Sequence, residues 1–253
     1  MLRAVLFDLD DTLFDHRICA RTALTTLYEA YDAFRNRPFA DVERLHASFL
    51  EELHVRVTSG ELPLEQARRE RFRRLFAAVG VTPGDDVVAE AAETYRGGYM
   101  KIRRAIAGAA ALLAAVSQRC QVGIVSNNLL EEQQGKLRQC GLDRFIDELV
   151  VSEETGMSKP DPRIFQIALD RLGRRAGEVV MVGDSWAADV LGARAAGIRA
   201  IWFNPDCAPS PEPEAGVVEL HALEPVDAAV AMIFAGEGTR STKETGAERN
   251  PRR

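Results

Sequence analysis

The chain has 253 residues, 46% apolar and 28% charged, with a formal charge of −6. This is the mixture of a soluble protein built as one large domain, or as a core with an insertion, and it excludes intrinsic disorder, collagen-like repeats and a membrane channel. The negative balance argues against an electrostatic grip on nucleic acid, and Cys19, Cys120, Cys140 and Cys207 stand too far apart for a disulfide framework or a zinc site.

Asp8, Asp10 and Asp11 precede any long apolar run, so no signal peptide is expected. The longest apolar run, 105–116, falls short of the roughly 20 residues that cross a bilayer. Both features point to the cytoplasm, with the cysteines reduced and mostly buried.

In chain order, the short apolar runs 4–7, 122–125, 149–151, 179–182 and 200–203 predict buried strands, being rich in Val and Ile and bounded by Gly, Asp or Asn. Helical stretches at 129–140, 162–172 and 187–196 lie between the later ones. That alternation predicts a doubly wound, Rossmann-like α/β core on a parallel sheet. More than a hundred residues separate the first two strands, and that interval has helical periodicity. Val42, Leu45, Phe49, Leu53 and Val57 recur at helical spacing, as do Leu64, Ala67, Leu75, Phe76 and Val79. Breaks fall at 36–38, 59–63 and 82–84, and Asp41 is a candidate N-cap. The prediction is a bundle of roughly four helices over 16–97, inserted into a core formed by 1–15 and 98–235. Residues 205–214 read as a loop, 217–220 as a last strand, 225–234 as a helix, and 236–253 as a disordered tail with almost nothing to bury.

Four segments follow predicted strands: Asp8-Leu9-Asp10-Asp11-Thr12, Ser126-Asn127-Asn128, Ser158-Lys159-Pro160, and Gly183-Asp184-Ser185 with Asp189. In an open parallel sheet they converge on one crevice at the carboxyl ends of the strands. Two carboxylates 4 Å apart repel by about 4 kcal/mol at an effective dielectric near 20. A divalent cation relieves this, and an all-oxygen shell selects Mg²⁺ or a similar hard ion. A lysine adds a point charge for a phosphoryl group. Metal, lysine and hydroxyl together suggest phosphoryl transfer. Asp8 and Asp10, two residues apart on an extended segment, point the same way, so one can attack while the other handles protons. A single carboxyl with a raised pKa can serve both proton steps.

These segments resemble the four motifs of the haloacid dehalogenase (HAD) superfamily, in order, from Met1 to about Pro205. The helical insertion after the first motif resembles that family's C1-type cap. The resemblance implies that Asp8 is the nucleophile and Asp10 the general acid/base. Thr12, Ser126, Asn127 and Lys159 would bind the substrate, with Lys159 also steadying Asp8. Mg²⁺ would sit on Asp8, the Asp10 carbonyl and Asp184, with Asp189 reaching it through water or orienting Lys159. Dehalogenase members lack the second aspartate, so Asp10 places the resemblance in the phosphatase branch. The implied reaction is hydrolysis of a small phosphate monoester through an aspartyl-phosphate. Sugar phosphates, nucleoside monophosphates and phosphoglycolate all remain open as substrates.

A phosphomutase of the same fold, a dehalogenase and a non-catalytic phospho-ligand-binding regulator remain the alternatives. The expected partner is a small phosphorylated metabolite, with neither nucleic acid nor membrane, and the chain is expected to act as a monomer or homodimer. Asp11 and Asp15 read as bystanders, and His16, Arg17 and Arg21 as an exposed first turn. His46, His54 and His221 have no metal-ligand company and read as structural, while Trp186 reads as packing against its loop.

Overall fold

The structure is a computed structural model that describes residues 1–235, so the tail expected at 236–253 lies outside the described residues. Six strands form one sheet: β1 (Ala4–Phe7), β2 (Gln121–Ser126), β3 (Glu148–Val151), β4 (Val179–Gly183), β5 (Arg199–Phe203) and β6 (Val218–Leu220). They lie in the order β3-β2-β1-β4-β5-β6, and every adjacent pair is parallel. The strand runs are continuously apolar because alternate side chains enter two different cores. Val5, Phe7, Ile124 and Val182 pack against α6 (Ala109–Ser117) and α11 (Val226–Ile233). On the opposite face Leu6, Val125 and Met181 pack against α9 (Pro162–Leu172) and α10 (Gly192–Ala195). The connection order reverses between β1 and β4, so the loops leaving these two strands open the crevice where such sheets bind ligands.

The long insertion holds five helices: α1 (His16–Ala30), the short α2 (Asp32–Arg35), α3 (Phe39–Thr58), α4 (Leu64–Ala78) and α5 (Asp85–Lys101). They bury a core of their own around Phe34, Phe72, Leu75, Phe76 and Tyr95. The breaks fall where Pro and Gly predict them, but the boundary expected at residue 97 lies inside α5. Asp41 is not an N-cap. The Pro38 carbonyl already accepts from the Asp41 and Val42 N–H groups, so α3 begins at Phe39 and Asp41 sits in its first turn. There its charge complements the positive end of the helix.

The chain leaves and re-enters the α/β core through two paired linkers. Ile106 N–H donates to Leu13 O, Asp15 N–H donates to Arg104 O, and Phe14 bridges Ala105 in antiparallel fashion. The remaining helices, α7 (Leu130–Gln139) and α8 (Ser152–Thr155), follow β2 and β3. The helix predicted at 187–196 is instead a π-helical turn over Trp186–Leu191 leading into α10. Both Asp189 and Val190 N–H groups converge on the Ser185 carbonyl, a widening of a kind that recurs at functional sites. Cys19 is buried, Cys120 and Cys140 half-buried and Cys207 exposed, all as free thiols. No helix among the described residues is long and apolar enough to cross a membrane.

Candidate active site

Asp8 follows β1 directly, and its N–H donates to Val182 O on β4, which fixes it at the mouth between the two central strands. Lys159 Nζ donates to Asp8 Oδ1 at 2.5 Å and to Asp189 Oδ1 at 2.6 Å, and all three side chains are almost fully buried. The other Asp189 oxygen accepts the Ser185 N–H at 2.9 Å. A Cβ at Gly183 would lie 2.4 Å from the Asp189 carboxylate, so only glycine lets that side chain fold back over the strand end. Burial of the ammonium alone would pull the Lys159 pKa down. The Asp189 and Asp8 carboxylates outweigh it and hold the ammonium above its usual value.

Asp184 completes the cluster. One ligand oxygen each from Asp8, Asp184 and Asp189 fall within 4.8 Å of one another. Thr12 ties Asp184 to the first loop, its hydroxyl accepting from Asp184 N at 3.1 Å and donating to Asp184 Oδ1 at 3.3 Å. Burial first, and then the charges of Asp189 and Asp11, push Asp184 up to about 7. Asp8 is raised as well, chiefly by burial, against the pull of Lys159. Three carboxylates face one ammonium, so the ionised cluster keeps two uncompensated negative charges. Among the described residues nothing donates to the Asp10 carbonyl, since the turn pairs Asp11 N–H with Phe14 O and Phe14 N–H with Leu9 O around it. An all-oxygen, doubly negative site with a spare carbonyl fits a hard divalent cation.

Asp10 occupies the opposite electrostatic setting. Lys136 Nζ donates to both its oxygens at 2.5 and 2.8 Å, Gln133 Nε2 donates at 2.9 Å and Asn128 Nδ2 at 3.1 Å. Burial alone would raise its pKa. The Lys136 charge, helped by His16 and the Lys136 and Gln133 hydrogen bonds, holds it well below the usual carboxylate range. The raised pKa anticipated for a proton-handling carboxyl is therefore not what the structure gives Asp10 in this arrangement. Gln133 Nε2 also lies 2.5 Å from Ser126 Oγ, so one side chain joins the ends of β1 and β2.

Lys136 and Gln133 are neighbours of Asp10 that sequence reasoning passed over, and Asn128 lay in the second segment without a role of its own. A signal existed: the chain has only four lysines, and Lys136 lies three residues after Gln133 on α7, so both share a helix face.

Asn127 anchors the third segment. Its side chain accepts from Lys159 N at 2.7 Å and donates to Lys159 O at 2.9 Å. Its carbonyl meets His54 Nε2 at 2.8 Å, so His54, read as structural, is a contact between α3 and the core rim. His16 is also not part of a freely exposed turn, because Nδ1 lies 2.8 Å from the Tyr99 hydroxyl, whereas Arg17 and Arg21 are exposed. Trp186 packs edge-on against Trp202 with ring centroids 5.2 Å apart. Between the helical insertion and the core lies a cavity of about 350 Å³ whose walls include Asp10, Asn127 and Lys136 from the core and Arg71, Tyr95 and Tyr99 from α4 and α5.

A switch-point crevice, paired carboxylates and a buried lysine define an α/β protein with a candidate phosphoryl-transfer site. A family model described as haloacid dehalogenase-like hydrolase matches residues 2–197, and the chain belongs to that family. It is 31% identical over 225 residues to the pyrimidine 5'-nucleotidase YjjG of Escherichia coli (strain K12), covering 87% of this chain and 95% of that protein. It is 32% identical over 237 residues to the phosphoserine phosphatase of Thermus thermophilus, covering 85% and 93%. Among solved structures, the HAD-hydrolase YfnB of Bacillus subtilis bound to magnesium superposes with a TM-score of 0.70 at 28% identity, covering 90% of this chain and 98% of that one.

Proposed function

We propose that the protein is a Mg²⁺-dependent phosphatase that hydrolyses a small phosphate monoester through an aspartyl-phosphate on Asp8. The observation that carries this is the buried Lys159 bonded at once to Asp8 and Asp189, beside Asp184. One Asp8 oxygen is held by Lys159 while the other accepts no hydrogen bond and is free to attack phosphorus. Attack breaks the bond to the leaving alcohol, and water later cleaves the acyl phosphate. Asp10 handles the protons of both steps, and its contact with Lys136 places an ammonium proton at the same carboxylate. Ser126 and Lys159, with Thr12 and Asn127 positioning the loops, hold the phosphoryl group.

Asp8, Asp184 and the Asp10 carbonyl would hold the Mg²⁺, which supplies charge neutralisation at the phosphoryl oxygens. Asp189, with both oxygens already engaged, acts by orienting Lys159. The magnesium seen in YfnB and the interdomain movement described for it support a metal here and a helical cap that closes over the crevice. On the same reading the enzyme is cytoplasmic, a monomer or homodimer, and acts on a small phosphorylated metabolite without nucleic acid or membrane.

The test is hydrolysis of p-nitrophenyl phosphate with Mg²⁺, with EDTA, and by the Asp8→Asn variant. Metal-dependent turnover that falls at least about 10³-fold in Asp8→Asn is expected. Turnover that survives EDTA or the substitution removes the mechanism.

A further inference from the structure

Every cation lining the cavity between cap and core has an acidic partner, with one exception among the described residues. Lys136 is paired with Asp10. Arg68, Arg96 and Arg103 all converge on Glu132, at 2.7, 3.3 and 2.5 Å. Arg71, on α4, is 8% exposed, its Nε has no hydrogen-bond partner, and no carboxylate among the described residues pairs with it. Glu51, the remaining carboxylate of the wall, is exposed and forms no ion pair. The Arg71 guanidinium lies against the rings of Phe72 and Tyr95, 4.9 and 4.8 Å from their centroids. Those rings orient it and screen it from water, but they do not neutralise it. A guanidinium stays protonated, so the fold carries a buried, uncompensated positive charge in the wall of the same cavity that Asp10 lines. Removing such a charge from water costs stability unless an anion arrives to meet it.

We infer that Arg71 is the receptor for an oxyanion on the leaving group, which makes the substrates small phosphate monoesters bearing a second acidic group, a carboxylate or another phosphate. The inference rests on the phosphatase reading for the direction in which the substrate lies, phosphoryl group at Asp8 and leaving group toward the cap. A planar fork of N–H donors suits either oxyanion bidentately. The cavity of about 350 Å³ that Arg71 shares with Asp10 is near the small end of ligand pockets and suits a leaving group with a short skeleton. Neutral leaving groups, such as nucleosides or unmodified sugars, would leave Arg71 unpaired in the closed complex.

The test compares three esters of similar size: glycerol 3-phosphate, 3-phosphoglycerate and 1,3-propanediol bisphosphate. The parent should favour one of the two acidic esters over glycerol 3-phosphate by at least about 30-fold in kcat/KM, and which one identifies the oxyanion. Arg71→Met should bring that preference to within about 3-fold while leaving glycerol 3-phosphate and p-nitrophenyl phosphate nearly unchanged. Arg71→Lys should keep part of it. The melting temperature of Arg71→Met should hold or rise, since an unpaired buried charge is removed. No preference in the parent, or an equal loss on all esters accompanied by a lower melting temperature, overturns the inference.

Should the parent hydrolyse neither these esters nor p-nitrophenyl phosphate, the phosphatase reading fails by itself and calorimetric binding decides Arg71. A dissociation constant for 3-phosphoglycerate or the bisphosphate at least about 10-fold weaker in Arg71→Met upholds the receptor. Equal binding, or no binding by the parent, refutes it.

Discussion

The rim of the sheet and the floor of the cap both bury charge, yet they treat it in opposite ways. At the rim, Lys159 is shared by Asp8 and Asp189, and Lys136 meets Asp10, so each cation is spoken for and the surplus is negative. On the cap side of the cavity, Arg68, Arg96 and Arg103 share Glu132 on the core and Arg71 has no acidic partner, so the surplus is positive. Of the rim groups, Asp10, Asn127 and Lys136 line the cavity whose wall carries Arg71. A molecule that brings a cation to the rim and an anion to the cap satisfies both, and a phosphate ester with an acidic tail, bound with Mg²⁺, does so. On the proposed reading, reaction chemistry is held by pairs within the core, and selectivity by an unpaired group on the insertion.

The sharpest way to break that contrast is to unpair the rim. Lys159→Met leaves Asp8 and Asp189 buried without their shared cation, and stability should fall by about 3–5 kcal/mol in urea unfolding. Adding Asp189→Asn to that variant should recover part of the loss. A loss below about 1 kcal/mol would mean that water already reaches the carboxylates.

A smaller effect is expected at Asp10. Lys136→Met removes the charge that holds its carboxyl low, so kcat should drop about 10²-fold and the acidic limb of the pH–rate profile should move to higher pH. An unmoved limb would assign that ionisation to another group.

The smallest effect is a pH-dependent metal response. The folded pKa of Asp184 is raised from 3.8 to about 7, so its stabilising contribution without metal is complete below 3.8 and is lost as pH rises through 7. A cation takes the place of the proton, so Mg²⁺ should raise the melting temperature by a few degrees more at pH 8 than at pH 5. An equal shift at both values would separate Asp184 from the metal.

Much of the core was legible because its signals are local. Continuous apolar runs announced strands buried on both faces, and short loops after them placed Asp8, Ser126, Lys159 and Asp184 at one rim. Gly183 beside Asp184 was readable as part of a motif, but its reason, the return of the Asp189 carboxylate over the strand end, is tertiary. The helical stretch expected at 187–196 is present, but periodicity cannot show that its first turns are π-helical, where Asp189 bonds Lys159 and the Ser185 N–H. Lys136 and Arg71 lay on amphipathic helices where a charged residue reads as solvent-facing. Arg71 is covered by the rings of Phe72 and Tyr95, and Lys136 by Asp10 and Phe14 of the first loop; no spacing rule carries such tertiary contacts.

The paired linkers at 13–15 and 104–106 have a consequence for how such a protein can change. An insertion that departs and returns through neighbouring, hydrogen-bonded positions behaves as a cassette: its ends are already joined in space, whatever lies between them. The helices it carries can be lengthened, recombined or exchanged for another set while β1 keeps its register with β2 and β4. New selectivities can therefore be sampled by rewriting the stretch between the linkers, without asking the sheet to fold again around a different reaction.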